Sequence, residues 1–186
     1  MRPIKLTMTN VIVGEALTWA YPDGHALGHF LIPTYRLTVA GSDDLGKKAE
    51  RHFEVFRFGI QGKDRGKGPE ARVVGLADLQ THVIKSWLPH YTVHSARSVE
   101  RGAWQVYDNF LIHDGPDDPH TEVYASIGCI EICNGPRGFD MFNDYLIALS
   151  GATAAGRADR LAQIGKARNM TITYHKATRP PLKKAP

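Results

Sequence analysis

The sequence predicts an α+β fold: a β-rich single domain with mixed sheets, a sandwich-like core and a few packed helices. Three observations predict it. Apolar residues alternate with polar ones over several long stretches of the first half, the pattern of half-buried strands. The second half carries a stripe at helical spacing, Phe139, Phe142, Tyr145, Leu146 and Leu149, followed by Gly151. The 186 residues contain no repeat or linker, and that length suits one domain with a sizeable core. We therefore expect one domain over 1–175 and a basic Pro/Lys-rich tail over 176–186.

From Lys5 to Tyr21 the chain reads as strand, with Leu6, Met8, Val11 and Val13 before Gly14 and then Leu17, Trp19 and Tyr21 after it; Gly14 is expected to turn. Pro22-Asp23-Gly24 is turn chemistry and predicts a hairpin-like return. The next strand, Leu27 to Val39, is interrupted by Pro33, which calls for an edge or a bend because proline cannot donate to a ladder. His52 to Phe58 is a further strand, and Gly62 to Pro69 a charged, glycine-rich loop without the spacing of a phosphate-binding Walker motif. Leu76, Leu79, Val83, Ile84 and Trp87 stand at helical spacing, and the expected helix 76–88 is stopped by Pro89. Strands are expected again at 91–93, from Ala103 to His113, and from Met170 to Tyr174. A polar helix is expected over Ala154–Lys166.

The net charge is +4, with excess positive charge in Lys176, Arg179, Lys183 and Lys184, read as a solvated, frayed end. No apolar run approaches the roughly 20 residues of a membrane span. The tail lacks aromatic interleaving, so nucleic acid is not an expected partner. Thr7, Thr9 and Asn10 break the apolar residues after the positive start, so no signal-peptide core is read there. The two cysteines, Cys129 and Cys133, are too few for a disulfide framework, and burial must stabilise the fold.

The chemistry concentrates between Ile112 and Asn134. His113 ends the apolar run Phe110-Leu111-Ile112, so a sheet holds it at the rim of a loop. After a short polar loop comes Ser126-Ile127-Gly128-Cys129. A cysteine attacks as its thiolate, and a neighbouring imidazole can take the proton, giving a thiolate–imidazolium pair populated below the ordinary thiol pKa of ~8.5. Cys129 is thus the candidate nucleophile and His113 the candidate base. Gly128 lets the backbone turn tightly beside the thiol, and Ser126 is expected to hold the loop.

These residues resemble the YkuD-type L,D-transpeptidase catalytic domain, in which a histidine is followed by a gap and then Ser/Thr-His-Gly-Cys and a hydrophobic residue. His113, Ser126, Gly128, Cys129 and Ile130 match it, and Gly102-Ala103-Trp104 looks like that family's approach to its histidine. Ile127 stands in place of a second histidine, Glu131 in place of Asn or Arg, and Asp114 splits the His-Gly pair. The resemblance implies acyl transfer on peptidoglycan stem peptides through a Cys129 thioester, as transpeptidation, exchange or L,D-carboxypeptidase action. It also implies Gly128 and Cys129 backbone N–H groups as oxyanion donors, with Ser126 and Ile127 lining the substrate site. No cofactor or metal is implied. Such an enzyme works in the periplasm or another extracytoplasmic space, and the leaderless start fits an antibacterial effector carried by a secretion machine, with an immunity or carrier protein as partner. Two alternatives are kept: a non-catalytic wall-binding module on the same fold, and a zinc site drawn from His113, His120, Cys129 and Cys133.

Overall fold

The structure, a computed structural model, describes residues 1–64, 67–92 and 101–186. Its strands are β1 (Ile4–Ala20), β2 (Gly24–Ser42), β3 (Lys48–Phe56), β4 (Gly59–Asp64), β5 (Lys67–Val74), β6 (Gln80–Val83), β7 (Ser86–Leu88), β8 (Ala103–Tyr107), β9 (Phe110–Asp114), β10 (Ile130–Ile132), β11 (Met170–Tyr174) and β12 (Lys183–Lys184). The helices α1 (Gly138–Ser150) and α2 (Arg157–Ala167) fall between β10 and β11. One mixed sheet runs β6-β11-β1-β2-β3-β10-β9-β8-β7, with β12 added to β2, and β4 and β5 form a separate ribbon. The β1–β11 and β9–β10 pairs are parallel. This is the expected β-rich α+β architecture.

The alternation read in the sequence sorts the sheet's two faces. Leu6, Met8, Leu37, Val39, Phe53 and Ile132 are buried against α1, where Phe142 meets Phe53 edge-on at 5.3 Å. Burying each such side chain contributes roughly 1.5–3 kcal/mol. The buried Trp104 indole donates to Asn143 Oδ1 at 2.9 Å and ties β8 to the same helix. Gly151, at φ 69°, ends α1 in the left-handed conformation predicted for it. Among the described residues no helix is long and apolar enough to cross a membrane.

Several expectations are corrected. Gly14 is not a turn: β1 runs through it with register shifts between Met8 and Gly14, and a Cβ there would have to displace the half-exposed His120 ring. The expected helix 76–88 is instead two short strands. Gln80–Val83 pairs with the edge of β11 and Ser86–Leu88 with β8, because Thr81, Val83 and Ile84 suit a pleated edge better than their i, i+3 spacing suits a helix. Ala103–His113 is a hairpin rather than one strand, turned at Asp108 (φ 46°) and Asn109. Most of the expected loop 62–69 is the β4–β5 hairpin; its Arg65 and Gly66, like Val93 and His94, lie outside the described residues. The tail is not frayed, since Lys183 and Lys184 pair with Leu31 and Phe30 of β2. Pro33 stands at an edge, as one of the two expectations had it: β2 pairs with β1 there, but with β3 only from Tyr35 onward.

Arg57 joins the sheet to its surroundings. The residue is 1% exposed, and its guanidinium donates to the carbonyls of Thr9 (3.0 Å), Leu76 (3.0 Å), His175 (2.6 Å) and Ala77 (3.4 Å). Tyr35, Phe58 and Tyr174 ring the cation at 5.4–6.0 Å. Arg57→Met should cost about 3 kcal/mol or more, because a filled apolar volume leaves buried carbonyls without donors. Urea unfolding measures this. A loss below about 1 kcal/mol would show that water replaces the guanidinium.

Candidate active site

The parallel pairing of β9 with β10 builds the site. Its register sets Ile130 beside Ile112, Glu131 beside His113 and Ile132 beside Asp114. Strand side chains alternate between faces, so Ile112, Ile130 and Ile132 turn toward the helices. His113 and Glu131 turn to the opposite face. Cys129, just before β10, joins them there, packed with Leu111 and Ala103, and with Leu88 and Tyr91 at its edge. The result is a two-by-two patch of Leu111, His113, Cys129 and Glu131. The structure thus brings the two predicted catalytic residues together on one face of adjacent strands.

Glycines let the Ser126-Ile127-Gly128 segment reach that position. Gly59 has no side chain where the Ser126 carbonyl passes; a Cβ there would overlap it, and Ile60 N–H donates to that carbonyl at 2.8 Å. Gly128 adopts φ 97°, and a Cβ on it would stand 2.8 Å from Gly75 Cα. The Ser126 hydroxyl accepts from Gly128 N–H at 3.4 Å, which is the loop-holding role expected of it. Ser126 and Gly128 are buried and Ile127 is half-buried.

His113 is fully buried, and its Nδ1 lies 2.7 Å from the Asp114 carbonyl oxygen. A carbonyl only accepts, so Nδ1 carries the proton and, in the neutral ring, Nε2 holds the lone pair a base needs. The Tyr91 ring lies 5.5 Å from the imidazole. The Cys129 thiol, 5% exposed, points to the Asn109 carbonyl at 3.7 Å. Burial pushes its pKa up to about 12; a negative Glu131 pushes in the same direction, against the Leu111 backbone N–H, which favours the thiolate. Burial thus opposes the expected standing thiolate and favours the protonated sulfur at rest.

The largest departure from the sequence reading is Glu131. It is fully buried, and neither carboxyl oxygen makes a hydrogen bond among the described residues. Burial drives its pKa well above the carboxylate range; the Ser126 hydroxyl, near but outside hydrogen-bonding geometry, opposes this, and Asp114 adds to it. Its i, i+2 spacing from Cys129 was the available signal. Tyr91, also missed, had none, because only tertiary structure brings it to His113. Burial pushes the Tyr91 phenol up to about 12.

The four residues weighed as zinc ligands are not gathered. His120 sits across the crossover, with Nδ1 donating to the Glu15 carbonyl at 3.1 Å and Nε2 3.2 Å from Glu54. Cys133 is buried and donates to the Glu131 carbonyl at 3.2 Å, and both cysteines are free thiols. Among the described residues no three His, Cys, Asp or Glu side chains form a metal-holding group.

Because Glu131 has a higher pKa folded than unfolded, the stability it contributes is complete below the unfolded value of ~4.3 and is lost as pH rises toward the folded value, at about 1.4 kcal/mol per pH unit. Glu131→Gln should remove that slope. Urea unfolding of both proteins between pH 5 and pH 8 tests it, and parallel pH dependences would contradict a protonated carboxyl in the folded protein.

Comparison with protein-family models, with curated proteins and with solved structures found no match, so the reading of this site rests on its own residues.

Proposed function

We propose that this chain is a cysteine acyltransferase or hydrolase acting on peptidoglycan stem peptides, with Cys129 as nucleophile and His113 as base. One observation carries the proposal: His113 is held in the Nδ1–H tautomer by the Asp114 carbonyl, on the strand paired in parallel with the one Cys129 precedes. The motif resemblance supplies the substrate class.

The resting thiol is protonated, so attack is concerted with proton transfer. The S–H proton passes to His113 Nε2 as Sγ bonds to the substrate carbonyl carbon. Collapse breaks the C–N bond, and the imidazolium returns the proton to the departing amine, leaving a Cys129 thioester. An amine acceptor then gives transpeptidation or exchange, and water gives carboxypeptidase action. The backbone N–H groups of Gly128 and Cys129 are the oxyanion donors in this scheme, with Ser126 and Ile127 shaping the approach. The proposal includes action outside the cytoplasm as an antibacterial effector. Growth arrest on directing the chain to the periplasm, absent when it stays in the cytoplasm, tests that part.

A second reading has its own support. The burial of Cys129 and His113 favours a non-catalytic wall-binding module in which the thiol only packs. Mass analysis of muropeptides incubated with the protein separates the two: new cross-links or trimmed stems support the enzyme, and intact muropeptides bound by the protein support the module. Cys129→Ala should abolish turnover with the fold retained, and His113→Ala should lower it on the order of a hundredfold or more. Turnover by folded Cys129→Ala would remove the proposal.

A further inference from the structure

We infer that Glu131 is a positioning residue of the site, kept as the uncharged acid beside His113 and Cys129 so that no standing negative charge opposes loss of the thiol proton on that face. The inference rests on Cys129 being the nucleophile.

Its basis is where the carboxyl group lies. Glu131 is the paired neighbour of His113 and stands two residues beyond Cys129 on the same face. It is fully buried, with neither oxygen hydrogen-bonded among the described residues. A buried carboxylate needs a counter-charge or several donors, and without them it keeps its proton. Among the described residues none supplies a counter-charge, and the Ser126 hydroxyl, which favours ionisation, lies outside hydrogen-bonding geometry. His113 and then Asp114 face it from β9, Cys129 and Cys133 flank its own strand, Tyr91 approaches from the segment after β7, and Glu54 stands on β3. All of these are neutral or acidic except the imidazolium that His113 becomes during attack. Burial and Asp114 both act to retain the proton.

The charge state matters because the same chemistry fails with an ionised Glu131. A carboxylate next to the thiol opposes the sulfur anion, and it competes for His113 by pairing with a standing imidazolium, which can accept no further proton. The uncharged acid does neither. Glu131 gains and loses no proton during turnover: the thiol proton goes to His113 and on to the leaving amine.

Two measurements on the full chain test this without a wall substrate. Infrared difference spectra between the wild type and Glu131→Gln should show the carbonyl band of a protonated carboxylic acid at neutral pH. Alkylation of Cys129 by iodoacetamide, read by peptide mapping, should follow that band. Where rising pH removes the band, the wild-type rate should fall about tenfold relative to Glu131→Gln, and where the band persists the ratio should stay constant. Carboxylate bands at neutral pH, a rate ratio indifferent to the band, or a Glu131→Gln rate tenfold below the wild type while the band is present would each overturn the inference. Wild-type Cys129 that resists alkylation until unfolding would overturn both the inference and the nucleophile it rests on. Unchanged muropeptides alongside the expected spectra and rates would remove only the proposed substrate.

Discussion

The parallel pairing of Ile112–Asp114 with Ile130–Ile132 is the constraint on which the rest of the site depends. Two parallel strands cannot be joined by a tight turn; the chain must leave one end of the sheet and return to the other. Here the return path is not a helix. It is an extended segment pinned at intervals, by His120 against Glu15 and Glu54, by Tyr124 bridged to Thr18 and stacked on Phe56, and by the Ser126 carbonyl on Ile60 N–H. Each pin is a contact with β1, β3 or β4. The loop preceding Cys129 is therefore held by three strands outside the pair it connects.

Holding polar groups inside the sheet has a thermodynamic cost. His113, Glu131, Asp114 and Ser126 are all buried, in a region where apolar residues would pack with no desolvation penalty. The opposite face of the same strands shows the alternative, with Ile112, Ile130, Ile132 and Trp104 closing on α1. One face of β9 and β10 thus packs apolar side chains while the other holds buried polar ones.

Local chemistry was legible in the sequence, and long-range pairing was not. The C-terminal half of the candidate site, Ser126 to Cys129, and the helix ended by Gly151 follow from short-range rules and stand where those rules put them. The segment 76–88 misled because strand pairing with β11 and β8 decided its state, and both partners are distant in sequence. Gly14 reads as a turn when only its neighbours are considered; in the fold it lies within β1, close to a histidine from a far segment. Glu131 was visible as a departure from a motif and by its i, i+2 spacing from Cys129. Its importance comes from burial without hydrogen-bond partners, a property no spacing rule encodes.

The last residues of the chain connect to the surroundings of the site through one backbone bond and two cationic side chains. Ala177 N–H donates to the Ala77 carbonyl, the Arg179 guanidinium to the Gly75 carbonyl at 3.0 Å, and Gly75 is the residue against which Gly128 rests. Further on, Lys183 reaches Glu15 at 3.2 Å while its backbone extends the sheet at β2. The segment acts as a drawstring: its far end is tied to the long hairpin and its near end to Gly75, against which Gly128 rests. Its ties at Arg179 and Lys183 are made by exposed cationic side chains, while Ala177 packs against the hydrophobic core.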